Sequence, residues 1–281
     1  MKDLLFGAAD KYTWSQVKPW AESIRKSGFD GDVVLLVYRV DVSEFLPKAK
    51  ELNIDLFHTD ADNWGNQISH EERQRDTVCH QLRFFHLWQF LSSTQEQYRY
   101  VITTDTRDVI FQRNPIEWLE QRITSNQFIA PSEGILYKDE PWGVENLVNG
   151  FGPYLLERLS PTEVHNVGTI AGTASAIRDL SLIIYSMGEE RYIPNDQSGF
   201  NILVSSDLLN PIRVKHDEGW ACQCGVMLDP EKVDRYREYW VGPQPVVKDG
   251  EAYTSTGEKY YLLHQWDRVP ELKSMVERVY G

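Results

Sequence analysis

Two aspartates stand three residues apart in the segment Asp105-Thr106-Arg107-Asp108, which lies at the end of the apolar run YVIT and before VIF. Carboxylates at the end of a buried strand are costly unless a cation pairs with them. One solution is a structural ion cluster made by Arg107 and a neighbouring arginine. The other is a divalent metal ion, which favours hard oxygen ligands such as carboxylates, water and phosphate. The residues alone leave both solutions open.

Three later segments carry further groups that could do chemistry. Asn166 and Gly168 stand in a small-residue stretch that lets backbone approach a ligand closely, although an ordinary glycine turn would look the same. Asp196 and Gln197 precede a helix-like run, where a helix cap is the simpler interpretation. His264 follows an apolar strand-like run, and a histidine in that setting is either a ligand or a satisfied structural residue.

The elements that must position these groups alternate along the first part of the chain. Apolar runs predict strands at 4–9, 33–40, 54–58 and on both sides of the polar interruption in 99–111, and helical spacing predicts helices at 13–28, 43–53, 71–92 and from Asn114 onwards. Such a rhythm indicates an α/β fold with a mostly parallel central sheet flanked by helices. Ligands then bind beyond the carboxyl ends of the strands. No linker divides the chain, so residues 1–281 are predicted to form a single domain with an irregular C-terminal part on the same sheet.

The composition excludes several classes of protein. The chain has 281 residues, and its 42 acidic against 29 basic residues give a net charge of −13. This acidity argues against a partner such as nucleic acid or an anionic lipid surface, but not against one small anionic ligand. Apolar runs of about six residues are too short for a membrane span, which needs about 20. We therefore expect a soluble, cytoplasmic protein, and three cysteines indicate neither a disulfide framework nor a zinc site.

Taken in this order, the segments resemble the GT-A glycosyltransferases, and most closely the branch of glycogenin and the bacterial galactosyltransferases. The resemblance covers about residues 4–268. In that family the first strand leads to a tyrosine that lies against uracil, and Tyr12 in FGAADKYTW takes that place. The resemblance implies that Gly7, Ala8 and Ala9 line the donor nucleotide, and that Arg83 in QLRFF contacts the donor sugar.

The family's Asp-x-Asp metal motif resembles residues 105–115, and its late metal-binding histidine matches His264. The spacing departs from the family, because Asp108 aligns with the second aspartate and Thr106 with the first. Asp105 is then expected to fill the first position through a one-residue irregularity. The family's Lys-Pro-Trp is absent after the histidine, and Arg268 is expected to supply the missing phosphate contact.

Two further motifs support the resemblance. The family's Phe-Asn-x-Gly segment is similar to HNVG at 165–168, and its Asp-Gln-x-x-x-Asn segment matches DQSGFN, which begins at Asp196. The resemblance implies that Asn166 and Gly168 bind the donor and that Asp196 and Gln197 are catalytic. The glycogenin branch favours retention of the anomeric configuration, whereas Asp196 acting as a base on the acceptor side would invert it.

The resemblance implies a metal-dependent glycosyltransferase that moves a hexose or pentose from a nucleotide-diphosphate donor, with a UDP-sugar favoured, to a carbohydrate or other hydroxyl acceptor. Mn²⁺ or Mg²⁺ would be the cofactor. Residues 1–115 would bind the nucleotide sugar and residues 116–281 the acceptor. Five acceptor-side candidates are Trp220, Trp266, Glu133, Asp217 and Glu218, and for the three acids solvated surface charge is the simpler interpretation.

Two alternatives stay open on the sequence. One is a glycan- or nucleotide-sugar-binding module with a degenerate catalytic site, which the irregular aspartate spacing would explain. The other is a haloacid-dehalogenase-like phosphatase, whose nucleophilic aspartate also ends a strand. That class needs a second aspartate two residues later, and Arg107 occupies the place after Asp105.

Overall fold

The computed structural model describes residues 1–58, 78–188 and 195–281. Strands and helices alternate in the first part, as the sequence predicts. They are β1 (Lys2–Asp10), α1 (Trp14–Lys26), β2 (Asp32–Tyr38), α2 (Val42–Glu51), β3 (Ile54–His58), α3 (Val78–Ser93), β4 (Tyr98–Thr104), β5 (Val109–Phe111) and α4 (Ile116–Arg122). The predicted helix 71–92 overlaps α3, while its residues 71–77 lie outside the described residues.

The second part has shorter elements and more turns. They are β6 (Phe128–Leu136), α5 (Pro141–Phe151), α6 (Pro153–Leu159), β7 (Glu163–His165), β8 (Thr169–Thr173), α7 (Ala174–Gly188), α8 (Asp196–Ser205), β9 (Pro211–Val214), β10 (Ala221–Gln223), α9 (Cys224–Met227), α10 (Val233–Tyr236), β11 (Val246–Lys248), β12 (Glu251–Tyr253), β13 (Leu262–His264) and α11 (Pro270–Tyr280). No helix in the described ranges has both the length and the apolar character that crossing a bilayer requires.

Local sequence explains where the first helices begin and end. The Thr13 backbone N–H donates to Gln16 Oε1 at 2.9 Å, which satisfies a free group at the start of α1. Gly28, just past its end, has φ +87°, a conformation that favours glycine. At the start of α4, the Asn114 side chain accepts from the Ile116 N–H at 3.2 Å, as a capping residue does.

One large mixed sheet forms the centre of the molecule, with strand order β3-β2-β1-β4-β8-β6-β7 and β9 paired to β6. β1, β2, β3 and β4 are mutually parallel. β8 runs antiparallel between β4 and β6, which a parallel βαβ rhythm does not predict. The α/β class with a mostly parallel sheet is confirmed, and the carboxyl ends of β1 and β4 lie side by side at one edge.

A second sheet of three strands, in the order β10-β13-β5, joins this edge. β13 pairs in parallel with β10 and antiparallel with β5. The chain passes from the large sheet to the small one within four residues, between Thr104 at the end of β4 and Val109 at the start of β5. Asp105 and Asp108 lie in that passage, so both sheets fix their positions.

The core lies on both faces of the large sheet because side chains alternate along its strands. On one face Leu5, Ala9 and neighbouring strand residues pack against α1 and α2. On the other face Leu4, Phe6 and Ala8 pack against α3, α7 and α8. Uninterrupted apolar runs in β1 and β2 follow directly from burial on both faces.

Two core histidines predict how stability depends on pH. His86 and His165 are buried, and burial lowers the pKa of each from 6.5 to about 4. Between these values the unfolded chain binds protons that the native protein does not, so stability falls as the pH drops from about 6.5 towards 4. We expect each histidine to remove about 2 kcal/mol of unfolding free energy by pH 5.

Urea unfolding at several pH values measures this effect. His86→Asn removes one titrating group and should flatten the profile between pH 6.5 and 5 by about half. A wild-type unfolding free energy that is constant over this range would contradict the assignment of both histidines as neutral.

Candidate active site

The Asp105–Asp108 turn is held at each end by backbone hydrogen bonds. The Asp105 N–H donates to the Gly168 carbonyl at 2.9 Å, and the Asp108 carbonyl accepts from the Gln265 N–H at 2.7 Å. Between them Thr106 is buried and donates its hydroxyl to the Ala8 carbonyl at 2.8 Å. Thr106 therefore ties the turn to β1, and the metal-ligand position that the alignment assigns to it is left to Asp105.

His264 faces both carboxylates from β13. Its Nε2 atom lies 3.4 Å from Asp105 Oδ2 and 3.9 Å from Asp108 Oδ1. Its other ring nitrogen, Nδ1, is 2.6 Å from Gln223 Oε1, and the Gln223 amide donates to Thr169 Oγ1 at 3.0 Å. The Gln223 carbonyl holds a proton on Nδ1, so Nε2 faces the aspartates. Burial alone would lower the pKa of His264, but Asp105 and Asp108 raise it, and a metal ion would take the place of the Nε2 proton.

These three residues fit a divalent cation. One ligand atom from each of Asp105, Asp108 and His264 lies within 4.8 Å of the others. Two carboxylates and a neutral imidazole are ligands that Mn²⁺ accepts, and Mg²⁺ shares the preference for carboxylate oxygen. The orientation of His264 by a second hydrogen bond is typical of metal-binding histidines. The arrangement can therefore hold a hard divalent ion.

The electrostatics of the cluster also favour a cation. Burial raises the pKa of Asp108 above its ordinary value, and the neighbouring Asp105 raises it further. For Asp105 burial acts in the same direction, but Arg83 and His264 hold its pKa well below the ordinary value. Asp108 is the carboxylate whose charge the surrounding protein stabilises less.

Arg83 connects this cluster to α8. Its guanidinium pairs with Asp105 through Nη1 and with Asp196 through Nη2, the latter at 3.0 Å. The Arg83 side chain is 7% exposed and that of Asp196 6%. Burial alone would lower the pKa of Arg83, but the two carboxylates hold it above its ordinary value. One buried cation thus bridges a metal-ligand candidate and a catalytic candidate.

The turn from Asn166 to Gly168 lines one cavity together with His80 and Arg83 of α3. Asn166 Oδ1 accepts from the Gly168 N–H at 2.7 Å, and its Nδ2 donates to Glu133 Oε1 at 2.8 Å. A Cβ on Gly168 would stand 2.5 Å from Asp105 Oδ2 and 3.0 Å from Asn166 Oδ1. Only glycine fits beside the Asp105 carboxylate, which explains the small-residue segment.

Asp196 and Gln197 open α8 and are both buried. Asn195, not Asp196, occupies the capping position, and Asp196 Oδ1 accepts from the Gln197 N–H at 2.9 Å. The Gln197 side chain donates to Glu133 Oε1 at 3.1 Å. Helix capping is therefore not the main role of Asp196, whose other oxygen lies against Arg83.

Two adjoining cavities meet at this cluster and share His80, Arg83, Asp105 and Asp108. The Tyr12 cavity has a volume of about 460 Å³ and is also lined by Ala8, Thr106 and Arg107, among others. The Asn166 cavity has a volume of about 380 Å³ and is also lined by Gly168, Asp196, Gln197, His264 and Arg268, among others.

Two predicted donor-lining residues are not brought to these cavities. A Cβ on Gly7 would stand 2.5 Å from Thr106 Cγ2 and 2.6 Å from Trp20 Cζ2, and Ala9 is fully buried in the core. Both residues face the opposite side of β1 from Ala8 because neighbouring strand residues alternate between faces. Ala8 alone of the three lines the Tyr12 cavity.

Four of the five acceptor-side candidates lie outside the lining of the two cavities. Trp220 is fully buried and donates to the Thr169 carbonyl at 2.8 Å, and Trp266 is 8% exposed in the core. Asp217 accepts from the Ser255 N–H, and Glu218 from Arg122, both away from the cavities. Placing either tryptophan in an acceptor groove was wrong, because Trp220 packs against Trp118 in the core and Trp266 packs with Leu263 and Leu272 in a second core cluster.

Glu133 is the exception among these candidates. It lies in β6, it is 8% exposed, and it lines the Asn166 cavity. No sequence pattern indicates four other residues of the site, which are Gln223 behind His264 and Glu140, Trp142 and Lys232 in the cavity wall. Pro141 does indicate where the helix begins, because proline favours the first turn, and this would have placed Trp142 in that turn.

Comparisons with known proteins place this geometry in context. No protein-family model and no curated protein sequence matches the chain. Among solved structures, galactosyltransferase LgtC in complex with donor and acceptor sugar analogues superposes with a TM-score of 0.59 at 12% identity, over 99% of this chain and 96% of that one. Mouse xyloside xylosyltransferase 1 gives 0.57 at 11% identity, over 93% and 97% of the two chains.

A third match is the glycosyltransferase GlyE of Streptococcus pneumoniae TIGR4, with a TM-score of 0.52 at 14% identity, over 94% of this chain and 55% of that one. The chain has the GT-A glycosyltransferase fold. This fold excludes the haloacid-dehalogenase-like alternative. The branch within the GT-A fold, which the sequence assigns to glycogenin and the bacterial galactosyltransferases, stays a prediction.

Proposed function

We propose that this protein is a metal-dependent glycosyltransferase that moves a sugar from a nucleotide-diphosphate donor, with a UDP-sugar favoured, to a carbohydrate hydroxyl. One observation carries the proposal. Asp105, Asp108 and His264 converge where two cavities meet, beyond the carboxyl ends of β1 and β4. In a sheet of this kind that edge is where ligands bind. A diphosphate and a carboxylate cluster both carry negative charge and would repel each other. A divalent ion held by the carboxylates would offset this repulsion.

In this proposal the Tyr12 cavity receives the nucleotide. The Tyr12 ring is half-buried, and burial raises the pKa of its hydroxyl to about 12, so the ring stays neutral at physiological pH. A neutral aromatic ring at this position can stack on a base. Ala8 provides a wall without a long side chain, and Arg107 adds a positive charge near the phosphates.

The cluster at the junction would hold Mn²⁺ or Mg²⁺ through Asp105, Asp108 and His264. When bound, such an ion stabilises the negative charge that builds on the leaving diphosphate. Arg268 is exposed and lines the Asn166 cavity, to which Asp105, Asp108 and His264 also belong. Its guanidinium can therefore bind phosphate oxygens in a bidentate manner.

Asp196 and Gln197 would lie against the reacting sugar. The Asp196 carboxylate is held in one orientation by Arg83 and by the Gln197 N–H, so it needs no reorganisation to stabilise a positively charged anomeric carbon. Gln197 is fixed through Glu133. Arg83 is engaged by two carboxylates, and we propose that it positions both while its remaining edge contacts the donor sugar.

The test is a panel of UDP- and GDP-sugars incubated with the protein and Mn²⁺, with release of the nucleoside diphosphate measured. An enzyme of the proposed class hydrolyses one donor slowly in the absence of an acceptor, and EDTA abolishes the reaction. Binding of a donor without turnover would support instead a degenerate binding module, which the unusual aspartate spacing allows.

Gln223 provides an independent prediction about the metal site. Gln223→Leu removes the acceptor for His264 Nδ1 and should weaken Mn²⁺ binding by about 10- to 100-fold. Gln223→Glu keeps an acceptor oxygen and should bind at least as tightly as the wild type. Electron paramagnetic resonance of free Mn²⁺ measures both affinities, and equal affinity in the Leu variant would rule out the orienting role.

A further inference from the structure

Trp142 stands out among the tryptophans of the chain. Its side chain is 53% exposed and lines the Asn166 cavity. In residues 1–58, 78–188 and 195–281 it is the one tryptophan with an exposed side chain. A large apolar surface left in water forfeits stabilisation that burial would provide. In the wall of a cavity, such a surface is available to a ligand.

The backbone beneath Trp142 is held by a helix cap and by side-chain hydrogen bonds. Pro141 and Trp142 form the first turn of α5, and Glu140 caps that turn by accepting from the Gly143 N–H. The Asn146 side chain donates to the Trp142 carbonyl at 2.8 Å. A Cβ on Gly143 would stand 2.9 Å from Glu140 Oε2, so the glycine permits this close cap. The indole is therefore presented from a fixed point of the fold.

Polar groups share the cavity wall with the indole. Glu140 and Lys232 are half-buried there, and Glu133 and Gln197 lie deeper. A volume of about 380 Å³ is at the low end of the range for small-molecule sites, about 300–1,000 Å³. An aromatic face beside hydrogen-bonding groups is complementary to a pyranose, which has an apolar C–H face and a rim of hydroxyls.

The charges of this wall favour an uncharged ligand. Glu133 and Glu140 face one cation, Lys232. Burial and the neighbouring Glu133 raise the pKa of Glu140, while Lys232 lowers it. An acidic sugar would add a third negative charge to this end of the cavity. The two arginines of the cavity are assigned above, Arg268 to the diphosphate and Arg83 to Asp105 and Asp196.

We propose that Trp142 is the stacking platform for an uncharged pyranose of the acceptor, whose hydroxyls bind Glu140 and Lys232. The inference rests on the proposed glycosyltransferase function and names the class of acceptor. Trp142 thus determines which acceptor is used and takes no part in activating the donor.

The experiment compares Trp142→Ala with the wild type on a panel of uncharged 4-nitrophenyl pyranosides, using the donor and Mn²⁺ conditions that give hydrolysis. For the acceptor that the wild type uses, kcat/KM for transfer should fall at least about 10-fold, since stacking on an aromatic face contributes on this scale. Hydrolysis of the donor without acceptor should stay within about twofold. Trp142→Phe should recover part of the transfer, because it keeps an aromatic face.

Tyr154→Ala is the matched control. Tyr154 is 87% exposed in the next helix, α6, and lines neither the Tyr12 nor the Asn166 cavity. Its loss should change neither transfer nor hydrolysis. Unchanged transfer in Trp142→Ala would overturn the proposal, and so would an equal fall of transfer and donor hydrolysis, which would place the indole against the donor sugar or in a structural role.

Failure of the proposed function would be recognised separately, as a wild type that turns over no donor. The acceptor site is then tested by isothermal titration of the same pyranosides. Binding that is lost in Trp142→Ala and kept in Tyr154→Ala supports the platform. No binding of any uncharged pyranoside to the wild type overturns it.

Discussion

Asp108→Asn is expected to lower Mn²⁺-dependent donor turnover by about 100-fold or more, because it removes a carboxylate from the site that stabilises the leaving diphosphate. The stability of the fold should not decrease. Burial and Asp105 disfavour the charge on Asp108 and raise its pKa, so removing that charge relieves repulsion. In EDTA the variant should therefore melt at the same temperature as the wild type or above it.

Turnover and melting temperature are measured on the same preparations. Asp179→Asn is the matched control, since Asp179 is a half-exposed aspartate on α7 that pairs with Arg178 and lies outside both cavities. It should behave as the wild type in both assays. Full turnover in Asp108→Asn would remove this residue from the metal site.

Arg83→Met should destabilise the metal-free protein by about 3–5 kcal/mol, because it leaves two carboxylates, Asp105 and Asp196, without their buried cation. Urea unfolding in EDTA measures the change. Arg107→Met is the control: Arg107 is 49% exposed and its ion pairs with Asp108 and Asp267 are both 3.9 Å long, so its loss should cost about 0.5 kcal/mol or less.

A second substitution separates charge from packing. Asp196→Asn added to Arg83→Met removes one of the stranded charges and should recover part of the lost stability. If Arg83→Met alone costs less than about 1 kcal/mol, the buried bridge between α3, the Asp105 turn and α8 does not have the role assigned to it.

Local patterns were sufficient to predict the helices and strands of the first part of the chain and the sheet edge at which the candidate site lies. β1 and β2 are buried on both faces and therefore read as continuous apolar runs, and the capping residues of α1 mark its ends. Alternation along β1 would also have separated Ala8 from Gly7 and Ala9. Gly7 and Ala9 face the core side of β1 and therefore do not line the donor cavity.

The parts that sequence could not provide depend on contacts between distant segments. The resemblance implies Asp105 as the partner of Asp108, but no local pattern encodes the inward hydrogen bond of Thr106 to Ala8 that accounts for the irregular spacing. The pairing of β10 with β13 sets Gln223 beside His264, 41 residues away. Trp220 is an acceptor-side candidate in the sequence, yet it is fully buried and packs against Trp118.

The central claim is that a divalent ion joins a nucleoside diphosphate to the Asp105–Asp108–His264 cluster. Thermal unfolding with UDP, with Mn²⁺, and with both ligands tests it most directly, because a ligand stabilises the state that binds it. We predict that the two together raise the melting temperature by more than the sum of their separate shifts, and that Asp108→Asn abolishes this excess. Additive shifts, or no shift with UDP in the presence of Mn²⁺ or Mg²⁺, would contradict the claim.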